Sequence, residues 1–290
     1  MKMRIYSLIA KEFPFFLVMP ALIWQVLFFY VPLLWIVYLS ITHVGAPFFN
    51  FTLAHYTGLF EAAFFKIIAR SLFLAFVNAV ICLLIAYPIA YFAARSPRNW
   101  RNFFLFLLIL PFWTSFVVHV YAWFYVLDTN GLINSTLLKI GLIKEPLAMV
   151  NTLFAVFLVM IYCYLPFMVM PLYSALEKFN WTLLEASMDL GATPAKTFFK
   201  ITVPMTLPSI KTGFFLVFVP SFGEFVIPAL LGGSKKMYVG SLIYHYFLVA
   251  RDAVTGAAFT CLSSLILVAA CLIIAWGFRK IFAGSGGVAQ

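Results

Sequence analysis

Of 290 residues, 65% are hydrophobic and only 10% are Asp, Glu, Lys or Arg, with a mean hydropathy of +1.06 and a formal net charge of +10. A soluble domain carries roughly a quarter charged residues, so this composition excludes a water-soluble globular fold and makes lipid the solvent for much of the surface. The positive charge does not indicate nucleic acid, because the basic residues fall between apolar runs instead of forming one patch.

In chain order, the opening MKMRIYSLIAKEF is basic and leads into a long apolar stretch without an A-x-A cleavage site, which reads as a retained first span. Six segments have the length of about 20 mostly apolar residues needed to cross a bilayer: 15–41, 71–94, 103–127, 152–175, 209–231 and 256–278. The expected fold is therefore an all-α integral membrane protein, a single transmembrane domain over residues 1–290 with six helices. An N-terminus inside places 12 basic residues on the inner side (Lys2, Arg4, Lys11, Arg95, Arg98, Arg101, Lys178, Lys196, Lys200, Lys211, Arg279 and Lys280). It leaves 7 outside: Lys66, Arg70, Lys139, Lys144, Lys235, Lys236 and Arg251. The surplus favours both termini inside.

Prolines recur within the spans, at Pro20, Pro32, Pro88, Pro111, Pro166, Pro171, Pro220 and Pro228. Each removes a backbone donor and permits a kink, which membranes tolerate where a neighbouring helix or a wet cavity satisfies the freed groups. The outer loops, 42–66, 128–151 and 232–255, are rich in aromatics, and LINSTLLKIGL (132–142) reads as a short helix near the interface.

No chemistry of catalysis is legible. Cys82, Cys163, Cys261 and Cys271 sit in apolar runs as small packing residues. A phosphate-binding G-x-x-x-x-G-K-[ST] loop and an HExxH motif are both absent, and His43, His55, His119 and His245 are scattered, so neither a catalytic site nor a metal site is expected. His119 lies in the third span, where it either packs or lines a cavity.

The loop at 177–208 carries a second kind of pattern. Thr182 and Glu185 have capping-box spacing, Gly191 suits a left-handed helix end, and Thr193-Pro194 reads as the cap and first residue of a following helix that Pro204 and Pro208 would end. Leu183, Leu184, Ala186, Ser187 and Leu190 form an apolar or small-residue stripe on the first of these helices, with Glu185 and Asp189 on another face. A short helix presenting such a stripe to the cytosol calls for a partner groove.

Glu185, Ala186, Ser187, Gly191, Ile201 and Pro204 resemble the E-A-A-x-x-x-G motif and its downstream I-x-L-P, the signature of membrane subunits of binding-protein-dependent ABC importers. Ser187 stands in place of the second Ala and Val203 in place of the Leu. The resemblance implies that Leu184, Glu185, Ala186, Ser187, Asp189, Gly191, Ala192 and Pro204 form a coupling helix docked on a cytoplasmic ATPase. Further stretches, LPFWTSFVVHVYAW (110–123), LPFMVMPLYSALEK (165–178) and FGEFVIPALLGG (222–233), resemble spermidine/putrescine permease subunits. What this implies is an inner-membrane subunit importing polyamines by alternating access. Its partners would be two ATPase subunits holding ATP and Mg, a second homologous permease and a periplasmic or extracellular polyamine-binding protein. This chain would carry no cofactor of its own. Iron, thiamine or anions remain alternative cargoes, and a secondary transporter acting alone is the alternative mechanism.

A path for polyamines needs carboxylates and aromatic faces. Glu224 is the one carboxylate well inside an expected span; it either faces a cavity or pairs with a helix end or another partner. Trp113, Tyr121, Trp123, Tyr162 and Tyr164 are candidate walls, with interfacial aromatic belts as the competing reading.

Overall fold

A computed structural model describes residues 18–42, 51–233 and 236–282. The expectations resting on Lys2, Arg4, Lys11, His43, Lys235 and residues 15–17 of the first span lie outside them. Among the described residues the secondary structure is helical, apart from one isolated antiparallel bridge between Thr42 and Phe51. Among the described residues, five helices are long and apolar enough to cross a membrane, or six if one sharply bent pair counts as a single span. Contacts group the chain into two units, one holding the described residues up to Glu61 with His245–Ser264, the other Ala62–Tyr244 with the residues from Leu265 onward.

In the first unit, helix α1 (Val18–Ser40) carries a π-helical turn at Val26–Tyr30, where the Val31 N–H reaches back to the Val26 carbonyl. The turn directly precedes Pro32, whose ring crowds the carbonyl four residues back, and the wider turn relieves that clash. The most apolar stretch of α1 has no buried residue, Trp24 being 66% exposed. Its surface is thus suited to lipid or to another membrane subunit. Helix α2 (Ala54–Leu59) is tied back to the end of α1 by the Tyr56 hydroxyl, which donates to Ser40 Oγ at 3.0 Å. Asp252 accepts the Thr255 N–H at 3.1 Å and so caps the last long helix, Ala253–Phe282. That bonding to Thr255 holds the Asp252 carboxyl below its usual range, so the cap contributes above the ordinary carboxylate pKa and fades as pH falls through the lowered one.

In the second unit, three helices pack into a core: α3 (Ala62–Arg95), α7 (Leu153–Glu177) and α9 (Pro194–Gly223). Buried Ala75, Ala79, Cys82, Ala86, Ala90 and Ala93 recur on one face of α3, a run of small residues that lets helices approach closely in a membrane. Gly213 of α9 lies against the backbone of α7, where an added Cβ would sit 3.2 Å from the Met168 carbonyl oxygen. Gly213→Val is accordingly expected to separate α7 from α9 at a cost of about 1–3 kcal/mol, read as a lower melting temperature of the detergent-solubilised protein. Buried polar bonds fix the register of α3 on α9: Asn78 donates to Ser221 Oγ at 2.9 Å, and the Tyr87 and Thr206 hydroxyls lie 2.9 Å apart. Satisfied in this way, such groups orient helices that apolar packing alone leaves free to rotate.

Two expected spans are broken. The third, expected over 103–127 with a kink permitted at Pro111, is two helices, α4 (Arg98–Trp113) and α5 (Phe116–Leu127), followed by the short α6 (Leu132–Lys139), with a bend of 97° between Arg98–Trp113 and Phe116–Lys139. Pro111 tightens the end of α4 into a 3₁₀ turn, and Thr114 and Ser115 are extended. The fifth, expected over 209–231, starts fifteen residues earlier, at Pro194, and is interrupted at Glu224, beyond which runs α10 (Val226–Leu231). Pro204 and Pro208 do not end a helix as expected. A π-helical turn at Phe198–Thr202, with the Val203 N–H bonded to the Phe198 carbonyl, accommodates Pro204 without breaking the axis. The second span is longer than expected, Ala62–Arg95 instead of 71–94.

The short outer helix expected at 132–142 is present as α6, ending where Gly141 turns with φ +74°. Its buried Asn134 donates to the Asp128 and Leu147 carbonyls and accepts the Leu147 N–H, pinning the loop around one side chain.

Candidate functional site

Both span breaks open into one cavity of about 430 Å³. Pro111, Phe112, Thr114 and Phe116 come from the α4–α5 break, Tyr162, Cys163, Tyr164, Pro166 and Phe167 from the middle of α7, His119 from α5, and Glu224 from the α9–α10 break. Irregular backbone at membrane depth is tolerated where it lines such a space.

Glu224 is 8% exposed and fully engaged on one side. Its Oε1 accepts the N–H groups of Val226 (2.9 Å) and Ile227 (3.3 Å), capping α10, and its Oε2 accepts the Tyr164 hydroxyl at 2.7 Å. Backbone donors at a helix start favour a negative charge there, so the span breaks at the residue that can stabilise the break. The helix-end and cavity readings of Glu224 are therefore both present in one geometry: Oε1 is committed to the backbone, while Oε2 keeps a lone pair beyond the tyrosine bond. Tyr164→Phe removes one donor from a buried carboxylate and is expected to cost about 1–3 kcal/mol, measured by thermal unfolding. The same change in a Glu224→Gln background should cost less, because the two groups are coupled.

Of the proposed aromatic walls, Tyr162 and Tyr164 line the cavity, and Trp123 stands behind Tyr162 with ring centroids 5.4 Å apart. Trp113 and Tyr121 do not line it. Trp113 is 73% exposed and packs edge-on against Phe106, because the bend at Thr114 turns it away, and Tyr121 is exposed on the outer face of α5. His119 does line the cavity, with Nε2 2.7 Å from the Thr114 hydroxyl and its ring edge-on to Tyr162 at 5.7 Å. Phe112 and Phe167, paired at 5.2 Å, complete the walls. No lysine or arginine is among the lining residues.

At the other site, helix α8 (Thr182–Asp189) forms where the motif lies. Thr182 and Glu185 do not form a capping box. Asn180 takes that role, its side-chain oxygen accepting both the Thr182 N–H (3.2 Å) and the Thr182 hydroxyl (2.7 Å), which moves the helix start back and places Thr182 inside it. Glu185 is left exposed, as are Ala186 and Asp189, with Leu184 half-buried. The C-terminal end is as expected. Gly191 has φ +82°, its N–H meets the Met188 carbonyl at 2.8 Å, and the Ala192 N–H meets the Ser187 carbonyl at 3.0 Å, the paired bonds of a Schellman cap. Thr193 caps the next helix by accepting the Lys196 N–H, with Pro194 behind it. Ser187, where the motif has alanine, lies 2.7 Å from the buried Thr197 hydroxyl and so ties α8 to α9, whose half-buried Pro204 follows about two turns beyond.

Residues 86–282 match the family described as binding-protein-dependent transport system inner membrane component, and the chain belongs to that family. It is a multi-pass inner-membrane permease subunit of an ABC importer. The spermidine/putrescine transport system permease protein PotB of Escherichia coli (strain K12) is 40% identical over 261 residues, 89% of this chain and 94% of that protein. PotB of Haemophilus influenzae is 37% identical over 81% of this chain and 83% of its own length. The fold is that of a solved bacterial ABC transporter involved in importing the acidic polysaccharide alginate, with a TM-score of 0.72 and 18% identity over 96% of this chain and 99% of that one.

Proposed function

We propose that this subunit forms half of the pathway of an ATP-driven importer of polyamines of the spermidine and putrescine type. The observation that carries the cargo is the cavity: one fixed carboxylate, five aromatic rings from Phe112, Phe116, Tyr162, Tyr164 and Phe167, and no fixed positive charge among its lining residues. Such a space attracts organic ammonium groups by charge and by cation–π contact, and rejects anions. The names of the PotB relatives support the same cargo.

In this reading the bent α4–α5 pair is one of six spans, with both termini inside. Helix α8 then faces the cytoplasm and docks on one of two ATPase subunits, which bind Mg-ATP and carry out the hydrolysis. A second homologous permease completes the path, and a polyamine-binding protein delivers cargo from outside. ATPase closure pushes α8, and the spans respond by opening the cavity to one side at a time. The test is the ATPase rate of the reconstituted complex across binding proteins loaded with polyamine, iron, thiamine or anion. Stimulation by the polyamine-loaded protein alone is expected; stimulation by another loaded protein in its place would overturn the cargo assignment.

A further inference from the structure

Trp181 stands immediately before α8 and outside the importer motif, yet its ring is contacted by two aromatic rings and a guanidinium. Its ring meets Tyr91 edge-on at 5.3 Å and Phe179 at 5.1 Å, and the Arg95 guanidinium lies 5.2 Å from its centroid. Arg95 also donates to the Tyr91 hydroxyl at 3.2 Å, so the last turns of α3 hold the tryptophan through both a ring and a cation. Tyr91 and Tyr87 in turn contact Phe198 in the π-helical turn of α9, at 6.3 and 5.3 Å. Farther along, the Ser187–Thr197 pair fixes α8 to α9 directly.

We propose that Trp181 is a positioning residue that clamps the coupling helix to α3, so that a push on α8 moves α3 and α9 together. Without the clamp, the Ser187–Thr197 pair in its C-terminal half still holds α8, which can tilt about the Asn180 turn, and the stroke is absorbed in the loop. With it, displacement passes to two of the three core helices. One of these, α9, runs unbroken from the Thr193 cap to Gly223, the residue before Glu224. The coupling stroke is thereby delivered to the helix whose end shapes the cavity.

This inference rests on α8 being the ATPase-docking helix, and its test separates the two. In proteoliposomes holding the complete transporter, Trp181→Ala should retain the ATPase subunit through purification and keep hydrolysing ATP. Substrate moved per ATP should fall about fivefold or more, with Trp181→Phe restoring most of the ratio and Arg95→Ala giving an intermediate loss. A wild-type ratio in Trp181→Ala would overturn the clamp. Should that variant not assemble, a wild-type ratio in the exposed-site variant Arg95→Ala would do so. If α8 is not the docking helix, co-purification of the ATPase subunit instead survives deletion of residues 183–192, which contradicts the docking reading and not the clamp alone.

Discussion

Glu224→Gln is expected to lower polyamine uptake by about 10- to 100-fold while leaving the complex assembled. The amide keeps the shape of the carboxylate: its oxygen can accept the Val226 and Ile227 N–H groups, and its NH₂ can donate to the Tyr164 oxygen, so the α10 cap and the span break survive. What disappears is the only charge lining the cavity. A hydrogen bond to an ionised partner contributes about 1.5–3 kcal/mol, and each 1.4 kcal/mol is about tenfold. Uptake of labelled spermidine into proteoliposomes containing the complete transporter and its binding protein measures the effect. Glu224→Asp, one methylene shorter, should fall between the two, because the charge remains but cannot reach both the helix start and the tyrosine.

The second large effect is expected at α8, the helix proposed to dock on the ATPase. Leu190 is 89% exposed, and it sits at the end of α8, where the Gly191 turn presents it outward. An apolar side chain so placed, beside exposed Glu185 and Met188, has the character of an interface anchor. Leu190→Asp should weaken binding of the ATPase subunit by about 2 kcal/mol or more, roughly 30-fold, without altering the fold, and deleting residues 183–192 should abolish it. Co-purification of the ATPase subunit with each variant reads the outcome, with Leu190→Met expected to behave as wild type.

Helix placement and the C-terminal half of the 177–208 loop were legible because each rests on a local rule. Apolar length marks a span, glycine marks a left-handed cap, and Thr-Pro marks a helix start, and Gly191 and Thr193 behave accordingly. The errors lie where two local rules compete. Thr182 had capping-box spacing, but Asn180 two residues earlier offers a better-placed acceptor and takes the cap. Pro204 ordinarily stops a helix, but a π-helical turn absorbed the steric clash, and packing of α9 on α3 and α7 favours a continuous rod.

The candidate site was legible in its charge and only in part in its walls, where Tyr162 and Tyr164 line the cavity and Trp113 and Tyr121 do not. Glu224 stood out as the lone intramembrane carboxylate, and the flanking Pro220 and Pro228 pointed to irregular backbone near it. The break falls at Glu224 itself, since that side chain supplies the acceptors an exposed helix start requires. The aromatic walls depended on the bend at Thr114–Ser115, which rotates Trp113 outward and carries Phe116 and His119 inward. The signal was present in Pro111 followed by Thr114 and Ser115, residues that favour turns and caps over helix interiors. Reading Pro111 as a kink within one continuous span, and not as a full break, concealed it.

The central claim is that ATP hydrolysis on a partner, delivered through α8, drives an organic cation through the cavity at Glu224. The most direct measurement is accumulation of labelled spermidine in proteoliposomes holding the complete transporter, with ATP and with the loaded binding protein each supplied or withheld. Accumulation only when both are present, and abolished by deletion of residues 183–192, is the predicted result. Accumulation that proceeds without ATP, driven by an ion gradient alone, would contradict it.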